Sequence, residues 1–288
     1  MSDPKQSNTK AAFVLADAMR QLGVTRVFGL PGGGSSLDLI EGAKASGLPF
    51  TLVRHETAGV MMAAVTADLT GRPGAMLVTK GPGLANAANG LACAALERSP
   101  VLFVTDGFSE RMQGFVTHQV FDQLAMIAPV TKAQMRVKGP DIAAETARLA
   151  LIATAAPAGP IALEMTGPAA QSAAAAAAMP AIVAAPAADA TSLAVARALL
   201  ADARRPVVIA GLEVRDPGGC AATRGLVERV EPDVGDERHD PDEQRSQISE
   251  LRARLDHLRQ AEVRPLRAVQ RHQHRAEGAA ADHREARP

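Results

Sequence analysis

Short apolar runs alternate with helical patterns through the first part of the chain, and no other feature narrows the fold so far. The runs are Val27-Phe28-Gly29, residues 50–53, Ala75-Met76-Leu77-Val78, residues 101–105, a stretch across 130–137, and Ile161-Ala162-Leu163. Between them lie segments with helical signals. Leu15, Met19 and Leu22 recur at helical spacing and stop at Gly23. Ser35 followed by Asp38 has the form of a capping box opening a second helix. Further helices are expected over residues 57–71, 84–97 and 142–153. Near-continuous apolar strands alternating with helices predict an α/β fold, a parallel sheet with helices on both faces.

The texture then changes twice. Residues 167–190 are almost wholly Ala, Pro and Gly, with six alanines from Ala173 to Ala178; partial helix is one reading, and Pro180 and Pro186 favour an extended connector. Beyond it, helices are expected near residues 192–200 and 220–230, with a strand at 206–210. From residue 231 onward the chain is dense in Arg, Asp, Glu, His and Ala. All seven Phe lie at or before Phe121, whereas five of the seven His lie after residue 230. Apolar content there is too low to offset the entropy of ordering, so this tail is expected to be disordered. A frameshift near residue 230 in a GC-rich gene would give such a composition. A natural tail with a short amphipathic helix (Ile248, Leu251, Leu255, Leu258) is the alternative.

Charge and cysteine usage exclude several classes. Lys plus Arg number 31 and Asp plus Glu 31, so no general electrostatic case exists for nucleic acid or an anionic membrane. Cys93 and Cys220 are far apart and not in a CxxC motif, which argues against a disulfide framework and for a reducing cytoplasm. No apolar run has the length of a membrane span, and residues 1–10 lack an apolar signal core. His55 and His118 share no metal-ligand spacing, so no metal site is expected here.

Glu56 is the leading candidate for chemistry. It closes Pro49-Phe50-Thr51-Leu52-Val53-Arg54-His55-Glu56, an apolar strand ending in charge, and a small-residue helix follows at once. A carboxyl group at such a turn is partly withdrawn from water, which suits it to proton exchange. A strand-end salt bridge or a helix-capping charge is the plain alternative. Pro31-Gly32-Gly33-Gly34 is a strand-to-helix turn that lacks both GxGxxG and the Gly-Lys-Ser/Thr of a P-loop. Gly81-Pro82-Gly83, with Asn86, forms a second such turn, where absent Cβ atoms would admit a flat ring. Asn86 could equally cap the helix that follows. Gln119, in His118-Gln119-Val120-Phe121-Asp122, could be a ligand contact or a solvated loop residue.

Val27-Phe28-Gly29-Leu30-Pro31-Gly32-Gly33, the Glu56 segment, Thr79-Lys80-Gly81-Pro82-Gly83-Leu84-Ala85-Asn86 and Ser99-Pro100-Val101-Leu102-Phe103-Val104-Thr105-Asp106 follow one another in an order that resembles a known group. They resemble the N-terminal, pyrimidine-binding domain of thiamine-diphosphate enzymes of the acetolactate synthase, pyruvate oxidase and benzoylformate decarboxylase family. The resemblance implies a pyrimidine-binding domain over 1–168, a linker over 169–190, the start of a central domain over 191–230 and an aberrant tail over 231–288. It implies that Glu56 hydrogen-bonds the cofactor's aminopyrimidine and promotes its imino form, which takes the thiazolium C2 proton. Pro31, Gly32, Gly81, Gly83 and Asn86 would line the cofactor, and Gln119 the substrate side. Lys80 stands where relatives have a small polar residue, which implies a peripheral side chain.

In that family a C-terminal domain with Gly-Asp-Gly and a later Asn holds the diphosphate and Mg²⁺. Here Gly235-Asp236 is followed by Glu237. The resemblance therefore implies the N-terminal part of a 2-oxo acid decarboxylase or carboligase, inactive alone. It would self-associate or meet a diphosphate-domain partner, with FAD binding left open. One subunit of a split enzyme and a non-catalytic interaction module are the alternatives.

Overall fold

The computed structural model describes residues 9–181, 189–203, 209–214 and 217–229. The expected tail, its Gly235-Asp236 pair and its apolar stripe lie outside these residues.

The described elements, in chain order, begin with β1 (Thr9–Lys10), α1 (Ala11–Gln21), β2 (Val27–Leu30), α2 (Ser35–Ala45), β3 (Phe50–Leu52) and α3 (Glu56–Thr70). There follow β4 (Gly74–Val78), α4 (Pro82–Leu96), β5 (Val101–Gly107), α5 (Glu110–Gln113) and α6 (Gln123–Ile127). Next come β6 (Gln134–Arg136), α7 (Ile142–Thr154), β7 (Ile161–Thr166), α8 (Gly167–Gln171) and β8 (Ala173–Ala174), then α9 (Ala190–Asp202) and α10 (Pro217–Arg229).

Six strands form one parallel sheet in the order β3-β2-β4-β5-β7-β6. Alternate residues of each strand face opposite sides. Ala75, Leu77, Leu102 and Val104 enter one core with Leu15, Met19, Leu39 and Leu149, from α1, α2 and α7. Met76, Val78, Val101 and Phe103 enter a second core with Val60, Leu84, Leu91 and Ile127, from α3, α4 and α6. The sheet is thus covered on both faces, as the apolar runs predict.

The topology fixes where a ligand can approach. After β2 the chain passes to α2 on the first face, and after the neighbouring β4 it passes to α4 on the second. Adjacent parallel strands that send the chain to opposite faces leave a crevice at their carboxyl ends, the usual ligand position in open α/β sheets. The Pro31 to Gly34 turn and the Thr79 to Gly83 turn flank this crevice.

Helices α3 and α4 pack closely because glycine sits at the contact. A Cβ added to Gly90 would lie 2.7 Å from Val60 Cβ and 2.8 Å from the Thr57 carbonyl oxygen. Gly90→Val should therefore push the two helices apart and cost about 1–3 kcal/mol by overpacking. Thermal unfolding followed by circular dichroism checks this; an unchanged midpoint would show that the pair tolerates the volume.

Three local expectations are corrected, and a fourth lies mostly outside the described residues. Ser35 and Asp38 form no capping box: Gly34 is the N-cap of α2 with no side-chain bond, and the Ser35 hydroxyl bonds Asp106 instead. The strand expected across 130–137 shortens to β6 behind a 3-10 turn at Ala128–Val130. The supposed connector is partly folded, since Thr166 caps α8, β8 pairs antiparallel with β1, and Ala170 and Ala174 are buried. Of the strand expected at 206–210, only 209 and 210 are described; they are not strand, and Ile209 is exposed.

Candidate functional site

Glu56 is the first residue of α3, directly beyond β3, and its side chain is 5 % exposed. The strand-end salt bridge does not form: Arg54 is exposed and makes no ion pair among the described residues. Glu56 is an acid in the first turn of α3, where its charge favours the helix, while the N-cap His55 accepts the Thr57 N–H on Nδ1 at 3.2 Å. Asn86 Nδ2 donates to Glu56 Oε2 at 3.2 Å. Asn86 lies within α4, whose N-cap is Gly81, so it does not cap that helix. The Thr57 hydroxyl donates to the Asn86 carbonyl at 2.5 Å and ties the two helix starts together.

Glu56 Oε1 makes no hydrogen bond among the described residues. It faces Gly83, where an added Cβ would lie 3.6 Å from Oε1 and 2.7 Å from Thr79 Cγ2. An added Cβ on Gly32 would collide with the Thr79 side chain. The two turns thus approach as bare backbone, and a side chain at position 83 would fill the space beside the acid. The result is a buried carboxyl with one engaged and one open oxygen, against a glycine-lined crevice and between two helix N-termini.

Among the residues singled out from sequence, Glu56, Gly83 and Asn86 meet directly, and Gly32 joins them through Thr79. Pro31 precedes Gly32 in the turn after β2 and is half-buried. Gly81 has a left-handed backbone, φ 66°, and a Cβ there would lie 2.7 Å from the Gln119 carbonyl oxygen. Gln119 therefore borders the Gly81 turn, not Glu56. Its own φ of 63° is uncommon for a residue with a side chain.

A buried network that sequence reasoning missed supports the turn. Asp106, 1 % exposed at the end of β5, accepts from Ser35 and, at 2.7 Å, from Ser36. Thr79 is a longer donor at 3.5 Å. Gln123 accepts the Gly81 N–H at 2.9 Å and donates to the Asp106 carbonyl and to Glu164 Oε2, each at 2.7 Å. Arg136 pairs with Glu164 at 3.0 Å. The one available signal was a charge, Asp106, closing an otherwise apolar strand. Lys80 is not peripheral: its side chain is 12 % exposed, with Nζ 3.8 Å from Asp106 and 4.8 Å from the Phe108 ring centre. Among the described residues no group of three or more His, Cys, Asp or Glu could hold a metal ion.

Several known proteins are similar to this chain over part of its length. The Bacillus subtilis (strain 168) acetolactate synthase is 32 % identical over 228 residues, covering 77 % of this chain and 39 % of that protein. The probable acetolactate synthase large subunit of Methanocaldococcus jannaschii is 33 % identical over 157 residues, 54 % of this chain and 26 % of that one. The Escherichia coli (strain K12) acetolactate synthase isozyme 3 large subunit is 38 % identical over 117 residues, 40 % and 20 % respectively. The chain thus spans well under half the length of these relatives. Residues 9–126 match the family described as thiamine pyrophosphate enzyme, N-terminal TPP binding domain. Over residues 9–126 the chain carries the N-terminal TPP binding domain of the thiamine pyrophosphate enzymes.

Proposed function

We propose that this chain supplies the pyrimidine-binding half of a thiamine-diphosphate site in a 2-oxo acid decarboxylase or carboligase of the acetolactate synthase kind. The open Oε1 of buried Glu56 against the Gly83 backbone carries the reading. When bound, thiamine diphosphate supplies the electron sink for cleaving and forming the bond next to the 2-oxo group. Glu56 holds a proton at the pyrimidine ring nitrogen, and Asn86 fixes the carboxyl's orientation. Gly32 and Gly83 let backbone approach a flat ring, with Pro31 and Gly81 completing the two turns. Gln119 lies on the substrate side.

The diphosphate and its Mg²⁺ are held by a diphosphate-domain partner rather than by this α/β unit. Exposed Met61, Met62, Val65 and Leu69 on α3 suit such an apolar contact. Two cysteines far apart in sequence, Cys93 and Cys220, fit a cytoplasmic setting, and no helix among the described residues is long and apolar enough to cross a membrane.

Titration with thiamine and thiamine diphosphate, each with and without Mg²⁺, tests the proposal. Both ligands should bind with a Kd of about 1 mM or weaker, because a carboxyl hydrogen bond and an apolar wall barely exceed the cost of immobilisation. Mg²⁺ should change neither value, and carbon dioxide release from pyruvate should be absent. Micromolar, Mg²⁺-dependent binding of the diphosphate form would overturn the proposed division of labour.

A further inference from the structure

Helix α4 carries two of the groups that surround Glu56, and nothing local secures its start. Gly83 faces Glu56 Oε1, where an added Cβ would lie 3.6 Å away, and Asn86 donates to Oε2 at 3.2 Å. The N-cap of α4, Gly81, has no side chain to cap with, and Pro82 after it has no N–H. In a capping box, a Glu or Gln in the first turn accepts the backbone N–H of the N-cap residue. Here that place is taken by Leu84, which has no acceptor. Gln123, 42 positions away, accepts the Gly81 N–H at 2.9 Å instead.

Gln123 is itself held without freedom. Its side chain is 6 % exposed, and Nε2 donates to the Asp106 carbonyl and to Glu164 Oε2, each at 2.7 Å. Flipping the amide would turn its oxygen against these two acceptors, so Oε1 faces Gly81. Asp106 and Glu164 belong to β5 and β7, and Glu164 is anchored in turn by Arg136 at 3.0 Å. One buried amide thus joins two central strands to the start of α4. The residues from Gly81 to Asn86 make little more than one helical turn, so a displacement at Gly81 carries Gly83 and Asn86 with it. We propose that Gln123 is a positioning residue for Glu56: by holding the Gly81 amide it sets Gly83 and Asn86 against the carboxyl, with no hydrogen bond of its own to Glu56 among the described residues. Its part in catalysis rests on the pyrimidine-binding role proposed above for Glu56, whereas the geometry is tested without cofactor.

The experiment follows the intact chain by NMR, reading hydrogen exchange at the Gly81 amide and the side-chain amide resonances of Asn86, and then titrates thiamine. Gln123→Met keeps the length of the buried stem and removes every polar contact. It should speed Gly81 exchange by about tenfold or more, shift the Asn86 resonances, and weaken thiamine binding by about tenfold, the usual effect of one lost hydrogen bond. Exchanging the pair, Gln123→Glu with Glu164→Gln, keeps an acceptor for Gly81 and reverses the donor between the two side chains. This double variant should return the Asn86 resonances to their parent positions and bring thiamine affinity within about threefold of the parent chain. Should Gln123→Met disturb folding, with circular dichroism as the check, Gln123→Asn carries the same amide on a shorter stem and should show the same losses. A role confined to stability would lower the thermal midpoint and leave the Asn86 resonances and thiamine affinity as in the parent chain; that result would overturn the positioning role. So would failure of the exchanged pair to restore them. If the parent chain bound no thiamine while Asn86 still responded to Gln123→Met, the proposed pyrimidine site would fall and the positioning of Asn86 against Glu56 would stand.

Discussion

Glu56→Gln is expected to slow exchange of the C2 proton of bound thiamine diphosphate by about 10² or more, the scale of a lost acid–base group. The measurement needs a chimera that continues this chain with the rest of an acetolactate synthase, so that the diphosphate is held independently. Glutamine keeps the size of the side chain, and its carbonyl oxygen can still accept from Asn86 as Oε2 does at 3.2 Å. What it removes is the carboxyl oxygen at the open Oε1 position, leaving a group that cannot exchange a proton there. Fold and cofactor affinity should thus change little while exchange collapses. Hydrogen–deuterium exchange quenched at intervals and read by NMR gives the rate. Exchange at the parent rate would take Glu56 out of the mechanism and leave it a structural acid. Asn86→Ala offers a graded comparison: with only the orienting bond lost, a smaller fall of about tenfold is expected.

Asp106→Ala is expected to lower stability by about 3–5 kcal/mol, the range for stripping one partner from a buried charge cluster. The substitution leaves the Ser35 and Ser36 hydroxyls without their common acceptor and the Lys80 ammonium without its ion-pair partner. It also frees the start of α2, which no side-chain cap secures. The chain contains no Trp or Tyr, so urea unfolding is best followed by far-ultraviolet circular dichroism. A lower midpoint with an unchanged slope is the expected result. A loss under about 1 kcal/mol would mean that water replaces the carboxylate at no great cost, and that the network is ornamental to the fold.

The central strands were legible because both of their faces are covered. Val101 to Val104 and Ile161 to Leu163 are fully or almost fully buried, so their whole sequence is apolar. Edge strand β6 was harder: Gln134, Met135 and Arg136 pair on one side only, and Gln134 and Arg136 carry polar side chains. Helix α8 and β8 were hidden in an Ala- and Pro-rich stretch whose composition matches a linker, and only contact with β1 and the core gives Ala170 and Ala174 their places. The Ser35 capping box failed because a local rule met a stronger distant partner, a buried carboxylate 71 positions away. The same distance effect concealed Lys80, whose neighbours Asp106 and Phe108 are remote in sequence. Glu56 stood out locally because strand, charge and helix meet within a few residues. Its oxygen facing Gly83 could not be read that way, since it depends on how two helix starts converge.

Strand β1 lies against β8, with Thr9 opposite Ala174 and Lys10 opposite Ala173. Thr9 and Ala174 are therefore neighbours on one rim of the parallel-sheet unit. Beyond Ala174 the chain stays on the unit, where the Met179 N–H donates to Gln21 Oε1 on α1 at 3.1 Å. A unit with such neighbouring ends can be cut out, transplanted into a host loop, or rewired by bridging the old ends and opening a new break elsewhere, with little demand on the linker. For a protein built by joining modules, the unit is in effect a cassette: recombination can exchange it whole, together with Glu56, Asn86 and both glycine turns.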